Sequence, residues 1–153
     1  MDAPLSLHFM ARIRCEVGPL VSLGAAPIGE RRYVPLLGGT AEGPALNGAI
    51  EPGGVDWQVL RRDGVLEIAA HYVLRADDGG RIEIISEGLR HGPPEAMARL
   101  ARGEAVAPAD YFFRTLMRFQ TGAPAWLHLN RTLALASGTR SADAVELEVH
   151  RIG

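Results

Sequence analysis

The sequence predicts an all-β fold, a closed antiparallel barrel of about eight to ten strands with one short helix. Three observations point there. Apolar and polar residues alternate over several long segments, turn signals separate those segments, and a single stretch carries helical spacing with helix punctuation. Composition agrees, because 18 glycines and 10 prolines in 153 residues favour many turns over long helices. Closure also removes the unpaired edges that so many strands would otherwise expose. One domain spanning residues 1–153 is expected, since about 100–200 residues is the usual span of a domain.

The first strand is Leu5 to Val17. Leu5, Leu7, Phe9, Ala11, Ile13, Cys15 and Val17 share one face, with Ser6, His8, Arg12, Arg14 and Glu16 on the other. Cys15 reads as a small core residue. Gly18 and Pro19 break the pattern, Leu20 to Leu23 resumes it, Gly24 to Pro27 reads as a loop, and Tyr33 to Leu37 leads into Gly38 and Gly39.

Two central hairpins determine which side chains share a face. Asp63 and Gly64 suit a two-residue turn, in which both central residues take positive φ. That register pairs Arg62 with Val65 and sets Leu60 against Glu67, Gln58 against Ala69, and Asp56 against His71. Asp77 to Gly80 then reads as a four-residue turn, which aligns Val73 with Ile84 and His71 with Ser86. The opposite face carries Val55, Trp57, Val59, Leu66, Ile68, Ala70, Tyr72 and Leu74, with Glu83 and Glu87. Because Glu83 and Glu87 would be expensive to bury unpaired, whereas Ile82 and Ile84 extend the Asp56 face, that face is placed inside. The expected lumen holds Asp56, Gln58, Glu67 and His71 amid apolar neighbours, the usual makeup of a ligand site.

The helix lies within Leu89 to Gly103. Pro94 and Glu95 suit its first turn, Gly103 suits the position after its last, and Met97, Leu100 and Ala101 form a packing stripe. Strands return at Tyr111 to Gln120, Trp126 to Ser137 and Ala144 to Ile152. In the second of these, Trp126, His128, Asn130, Thr132, Ala134 and Ala136 share a face, and Leu127, Leu129, Leu133 and Leu135 face a packed layer or another subunit. In the third, Val145, Leu147 and Val149 point inward.

Several chemistries are excluded. All 16 basic residues are arginine against 18 acids, a net charge of −2, so there is no lysine for a Schiff base or a phosphate loop. One cysteine excludes an intramolecular disulfide and a CxxC pair, and fits a reducing, cytoplasmic setting. No basic leader precedes an apolar stretch, and no run approaches the ~18 apolar residues of a membrane span, so neither export nor insertion is expected. The five histidines form no HxH or HExxH, and no metal or other cofactor is expected. Gly38 to Gly43 lacks dinucleotide-loop spacing. Balanced charge with few stacking aromatics argues against nucleic acid.

The run YVPLLGGTAEGPALNG from Tyr33 to Gly48, PGGVDWQ from Pro52 to Gln58 and DDG from Asp77 to Gly79 resemble the bacterial and fungal family catalogued as domain of unknown function 3237. GLRHGPP from Gly88, YFFR from Tyr111, FQTG from Phe119 and WLHLN from Trp126 continue the similarity over essentially the whole chain. The resemblance implies a lipocalin-like, calycin-like barrel, a homodimer or higher homo-oligomer, and occasional accessory roles in secondary metabolism. Matched by position, it points to Glu42, Asp56, Trp57, Arg114 and Asn130. The chain departs from the family at His71, where arginine is frequent, and at Ala69, where an acid is common.

A carboxylate beside an imidazole in a partly dry lumen can relay a proton. The expected function is therefore a cofactor-independent acid–base enzyme, an isomerase or cyclase acting on a small hydroxylated or carbonyl compound. Asp56, His71, Glu42 and Glu67 are its catalytic candidates. Trp57, Gln58, Tyr72, Arg90, Arg114 and Asn130 are its substrate-binding candidates, with Arg114 and Asn130 set to hold a developing enolate or phenolate oxygen. The alternative is a non-catalytic small-molecule binder of the lipocalin-like type.

Overall fold

A computed structural model describes residues 3–153. In β1 (Leu7–Val17) the expected alternation holds from Ala11 onward, with Ala11, Ile13, Cys15 and Val17 buried and Arg12, Arg14 and Glu16 exposed. A bulge between Phe9 and Ala11 upsets it earlier. One extra residue moves every side chain before it to the other face, so Met10 is buried while Leu7 and Phe9 look outward.

The chain continues through β2 (Val21–Ala26), β3 (Gly29–Glu42), β4 (Gly48–Ile50), β5 (Gly54–Leu60), β6 (Leu66–Ala76), β7 (Arg81–His91), α1 (Pro94–Ala101), β8 (Phe112–Gln120), β9 (Leu133–Arg140) and β10 (Ala144–Ile152). All pairings are antiparallel, and contact between β1 and β3 closes the sheet into an eight-strand barrel with two additional strands. β4 and β5 share one position between β3 and β6, separated by Glu51 to Gly53. β2 pairs with the first half of β3, so the loop expected at Gly24 is strand.

Both central hairpins differ from expectation by one residue, the first loop being one residue longer and the second one shorter. Among the described residues only glycines take positive φ, which forbids a two-residue turn needing that geometry at Asp63 as well as at Gly64. Instead Arg62, Asp63 and Gly64 form a three-residue loop, in which Gly64 N–H donates to Arg61 O and Arg61 N–H to Val65 O, at 3.0 and 2.9 Å. Gly64 has φ +88°. Asp77, Asp78 and Gly79 repeat the arrangement, with Gly79 N–H donating to Ala76 O and Ala76 N–H to Gly80 O, both at 2.8 Å. In each loop the aspartate Oδ1 accepts from the backbone two residues on, at Val65 and Gly80.

The observed register therefore sets Asp56 against Ala70 and Ala70 against Ser86. The two displacements cancel between β5 and β7, so Asp56, Gln58, Ile82, Ile84 and Ser86 face inward as expected. β6 alone is turned over: Leu66, Ile68, Tyr72 and Leu74 are inside, whereas Glu67, Ala69 and His71 are outside.

Two further expectations change. The strand starting at Trp126 starts at Leu133, because Pro124–Arg131 coils as a 3-10 helix. There Asn130 folds back to donate from Nδ2 to Thr121 O and Leu127 O and to accept from Thr121 N–H. Leu129 turns inward, while Leu127, Leu133 and Leu135 are exposed. The helix keeps Pro94 and Glu95 in its first turn, but buries Ala96 and Leu100 and leaves Ala101 exposed.

Ile13, Leu74, Ile82, Ile84, Met117 and Val149 fill the barrel. Leu46 and Leu129 close the end where β8 finishes, and α1 with Val106 lies at the end where β7 finishes and β8 begins. Among the described residues no helix is long and apolar enough to cross a membrane.

Candidate functional site

Asp56 faces the lumen from the middle of β5, between Val34 of β3 and Ala70 of β6. Gln58, two residues on, shares its face and donates from Nε2 to Asp56 Oδ2 at 2.8 Å, while Arg32 Nε donates to Gln58 Oε1 at 3.0 Å. The residue is only partly buried as a whole, yet its Oδ1 is shielded from solvent and has no hydrogen-bond partner. Burial raises the Asp56 pKa, against the Gln58 hydrogen bond and the charges of Arg90, Arg140 and Arg32. The carboxyl thus holds its proton more tightly than an ordinary aspartate does.

A cavity of about 30 Å³ lies beside it, walled by Cys15, Tyr72, Ser86, Phe113 and Thr115 among others. That is room for one or two waters. Tyr72 Oη and Thr115 Oγ1 are buried without partners, so three orphaned polar atoms border one small space. Burial, then the Asp56 charge, pushes the Cys15 thiol up to about 12, which removes it as a nucleophile at neutral pH. Burial likewise raises Tyr72, leaving a neutral phenol that can donate a hydrogen bond.

At the α1 end of the lumen stands Arg90, only 8% exposed, with its guanidinium 5.2 Å from the Phe113 ring and its Nε unpartnered. Burial, and then Arg140, lower its pKa to about 10, so it stays charged at neutral pH. Arg140 donates its backbone N–H to Tyr111 Oη at 2.9 Å.

The comparison with known families is decisive over nearly the full length, since residues 5–152 match the family described as "Protein of unknown function (DUF3237)". The chain belongs to the DUF3237 family. It is 36% identical over 152 residues to a UPF0311 protein of Rhodopseudomonas palustris, covering 99% of each chain. It is similar to the crystal structure of that organism's conserved protein of unknown function, with TM-score 0.92, 35% identity and full coverage of both chains. A beta-barrel like protein from Acinetobacter baumannii superposes with TM-score 0.88 and 35% identity over 100% of this chain and 99% of the other. A structure described as an enzyme from Penicillium herquei shares the fold at TM-score 0.74 and 19% identity, covering 100% and 98%.

Of the residues singled out in this DUF3237 sequence, Asp56, Gln58, Tyr72 and Arg90 come together in the barrel. The expected opposition of Asp56 and His71 is corrected. His71 lies opposite Val55 on the outer face, where its Nε2 is 2.8 Å from Glu83 Oε2. Glu67 is outside for the same register reason, 4.0 Å from Arg61. Trp57 also faces outward, 5.0 Å from the Tyr33 ring and beneath Arg31 at 4.9 Å. Glu42 is exposed at the end of β3 opposite Arg12. Arg114 is exposed above Phe112, and Asn130 is occupied in the 3-10 helix.

Sequence reasoning missed Arg32, Arg140, Ser86 and Thr115. A signal existed for three of them: Ser86 falls on the Asp56 face in the sequence register, Arg32 shares parity with Val34 and Leu36, and Arg140 with Ala134 and Ala136. A larger groove, about 840 Å³, opens between Glu83, Arg118, Asn130 and Leu133, but it borders none of the orphaned atoms. Shielded polar groups rather than volume therefore mark the lumen as the candidate site. Among the described residues no group of three or more His, Cys, Asp or Glu side chains is placed to hold a metal ion.

Proposed function

We propose that the protein is a cofactor-independent acid–base enzyme of the isomerase or cyclase type, in which Asp56 moves a proton on a small hydroxylated or carbonyl compound held in the lumen. The supporting observation is the shielded, unpartnered Oδ1 of Asp56 beside two further orphaned donors, Tyr72 Oη and Thr115 Oγ1. Gln58 ties down Oδ2, which leaves Oδ1 as the atom that gives and takes the proton. A raised pKa brings the two protonation states closer in energy at neutral pH, as proton transfer in both directions requires. Tyr72 and Thr115 donate to substrate oxygens, and Arg90 takes the role first given to Arg114, stabilising an enolate or phenolate as it forms. The P. herquei protein of similar fold is described as an enzyme, which agrees with a catalytic use of this barrel.

Admission of substrate requires the α1 end to open. The segment from Pro93 to Asp110 gives only Ala96, Leu100 and Val106 to the buried core, with Met97 partly packed, and segments so thinly packed open most easily. The small volume of the closed cavity favours a second reading, a non-catalytic binder in which the same orphaned groups recognise a ligand without turning it over.

Solvent exchange separates the two. Dihydroxyacetone and 2-hydroxyacetophenone are incubated with protein in D₂O and deuterium at the carbon next to the carbonyl is followed by NMR. Accelerated exchange that falls about 10²-fold or more in Asp56→Asn supports catalysis. Exchange that the protein does not accelerate, or that survives the substitution, rejects it.

A further inference from the structure

Resting on the reading of the lumen as a ligand site, we infer that its ligand is an anion, a carboxylate or an ionised phenol or enol, and that Arg90 is the residue that anchors it. Arg90 is a buried cation that feels the Asp56 charge but is in no ion pair with it. It makes none of the ion pairs found among the described residues. Its Nε is buried and unpartnered, and its one aromatic contact is the face of Phe113. The charged side chains it senses are Arg140, Asp56 and Arg32, two cations and one carboxylate, with the Tyr111 phenol beyond them.

That carboxylate is already committed. Asp56 Oδ2 accepts from Gln58, Gln58 Oε1 accepts from Arg32, and burial inclines the acid toward its neutral form. Protonating Asp56 enlarges the positive surplus. The remaining acids belong to the rim: Glu30 lies 3.9 Å from Arg32, and Asp143 is exposed beside Arg140. Neither reaches Arg90.

A buried guanidinium outside any ion pair carries a desolvation cost that no close Coulombic partner repays. Its retention here has a chemical use. The planar fork of arginine matches a carboxylate in two parallel hydrogen bonds, and stacking on an aromatic ring fixes its plane while leaving its edges free. Phe113 supplies that ring and also lines the cavity holding the orphaned Tyr72 and Thr115 oxygens. An anion on Arg90 would present its remaining atoms to those donors and to Asp56 Oδ1.

The experiment titrates intact protein with formate, acetate and benzoate, and in parallel with formamide, acetamide and benzamide, at constant ionic strength set by chloride. Thermal midpoint and calorimetric heat are read for wild type, Arg90→Gln and Asp56→Asn. The expected result is saturable stabilisation by a carboxylate but not by its amide, with affinity falling about tenfold or more in Arg90→Gln. Ligand-free Arg90→Gln should melt no lower than wild type, which a merely structural arginine would not allow. If that variant fails to fold, Arg90→Lys replaces it and should keep carboxylate selectivity with weaker affinity. A lysine variant equal to wild type overturns the fork, and a carboxylate effect that survives Arg90→Gln overturns the anchor. Amides binding as well as carboxylates, and weakened by Asp56→Asn, overturn the anionic ligand while leaving the lumen site standing. Binding by neither class overturns both.

Discussion

Asp56 and Gln58, two positions apart on β5, are joined side chain to side chain, with Gln58 Nε2 donating to Asp56 Oδ2 at 2.8 Å. The bond holds one carboxylate oxygen still and leaves the other facing the cavity. Of the influences that keep the Asp56 pKa down, it is the largest.

Gln58→Leu should therefore raise the Asp56 pKa further and leave Arg32 Nε without its acceptor. A loss of about 1–3 kcal/mol is expected from the groups stranded by one deleted partner. Urea denaturation measures the loss, and carbon NMR of the Asp56 carboxyl follows its titration.

Asp56 also makes stability depend on pH, with a sign opposite to that of a salt-bridged acid. Its pKa is raised in the folded chain, so between the unfolded and folded values the native state binds the proton and the unfolded state does not. Stability contributed by the protonated form is complete below the unfolded pKa and is lost as pH rises through the folded one. Asp56→Asn should remove that loss, so its thermal midpoint should exceed that of wild type by a margin that grows from pH 4 upward. A margin that is flat or shrinks with pH would contradict the raised pKa.

The orphaned hydroxyls should prove dispensable for folding. Tyr72→Phe and Thr115→Val each delete a buried oxygen without a partner and keep the shape, so stability should change by less than about 0.5 kcal/mol or improve. Chemical denaturation checks this, and a loss beyond about 1 kcal/mol in either variant would mean the oxygen has a partner in solution.

On the outer face, His71 and Glu83 form a pair at 2.8 Å that water reaches freely. A double-mutant cycle through His71→Ala and Glu83→Ala should return a coupling of about 0–1 kcal/mol. Deuterium exchange should be unchanged in both variants; its loss in His71→Ala would put the imidazole back into the chemistry.

Much of this arrangement was legible in the residues. Alternation placed Ile13, Cys15, Leu147 and Val149 correctly, because a strand with one wet face writes its orientation at every second position. Asp56 and Ser86 were placed on a common face even though both intervening registers were off, since two displacements of one residue restore parity across β6. Tyr72 and His71 were exchanged because loop length, not loop composition, decides parity, and Asp-Gly serves two-residue and three-residue loops alike. Leu7 and Phe9 fall on the wrong face because a bulge leaves no mark in the hydrophobic pattern. Arg32 and Arg140 were passed over because an arginine reads as solvated until a register shows what stands opposite.

The tip residues of the two Asp-Gly hairpins, 62–64 and 77–79, are exposed, and at exposed tips insertions are ordinarily harmless. Here they are not free to drift in length. Adding a residue at one tip and deleting one at the other would rotate the intervening strand, trading a phenol for an imidazole next to the carboxyl and casting Leu66, Ile68 and Leu74 into water. The oily side of a single strand thus polices the size of two distant, unburied bends. An indel there would change which β6 side chain stands beside the Asp56 carboxyl.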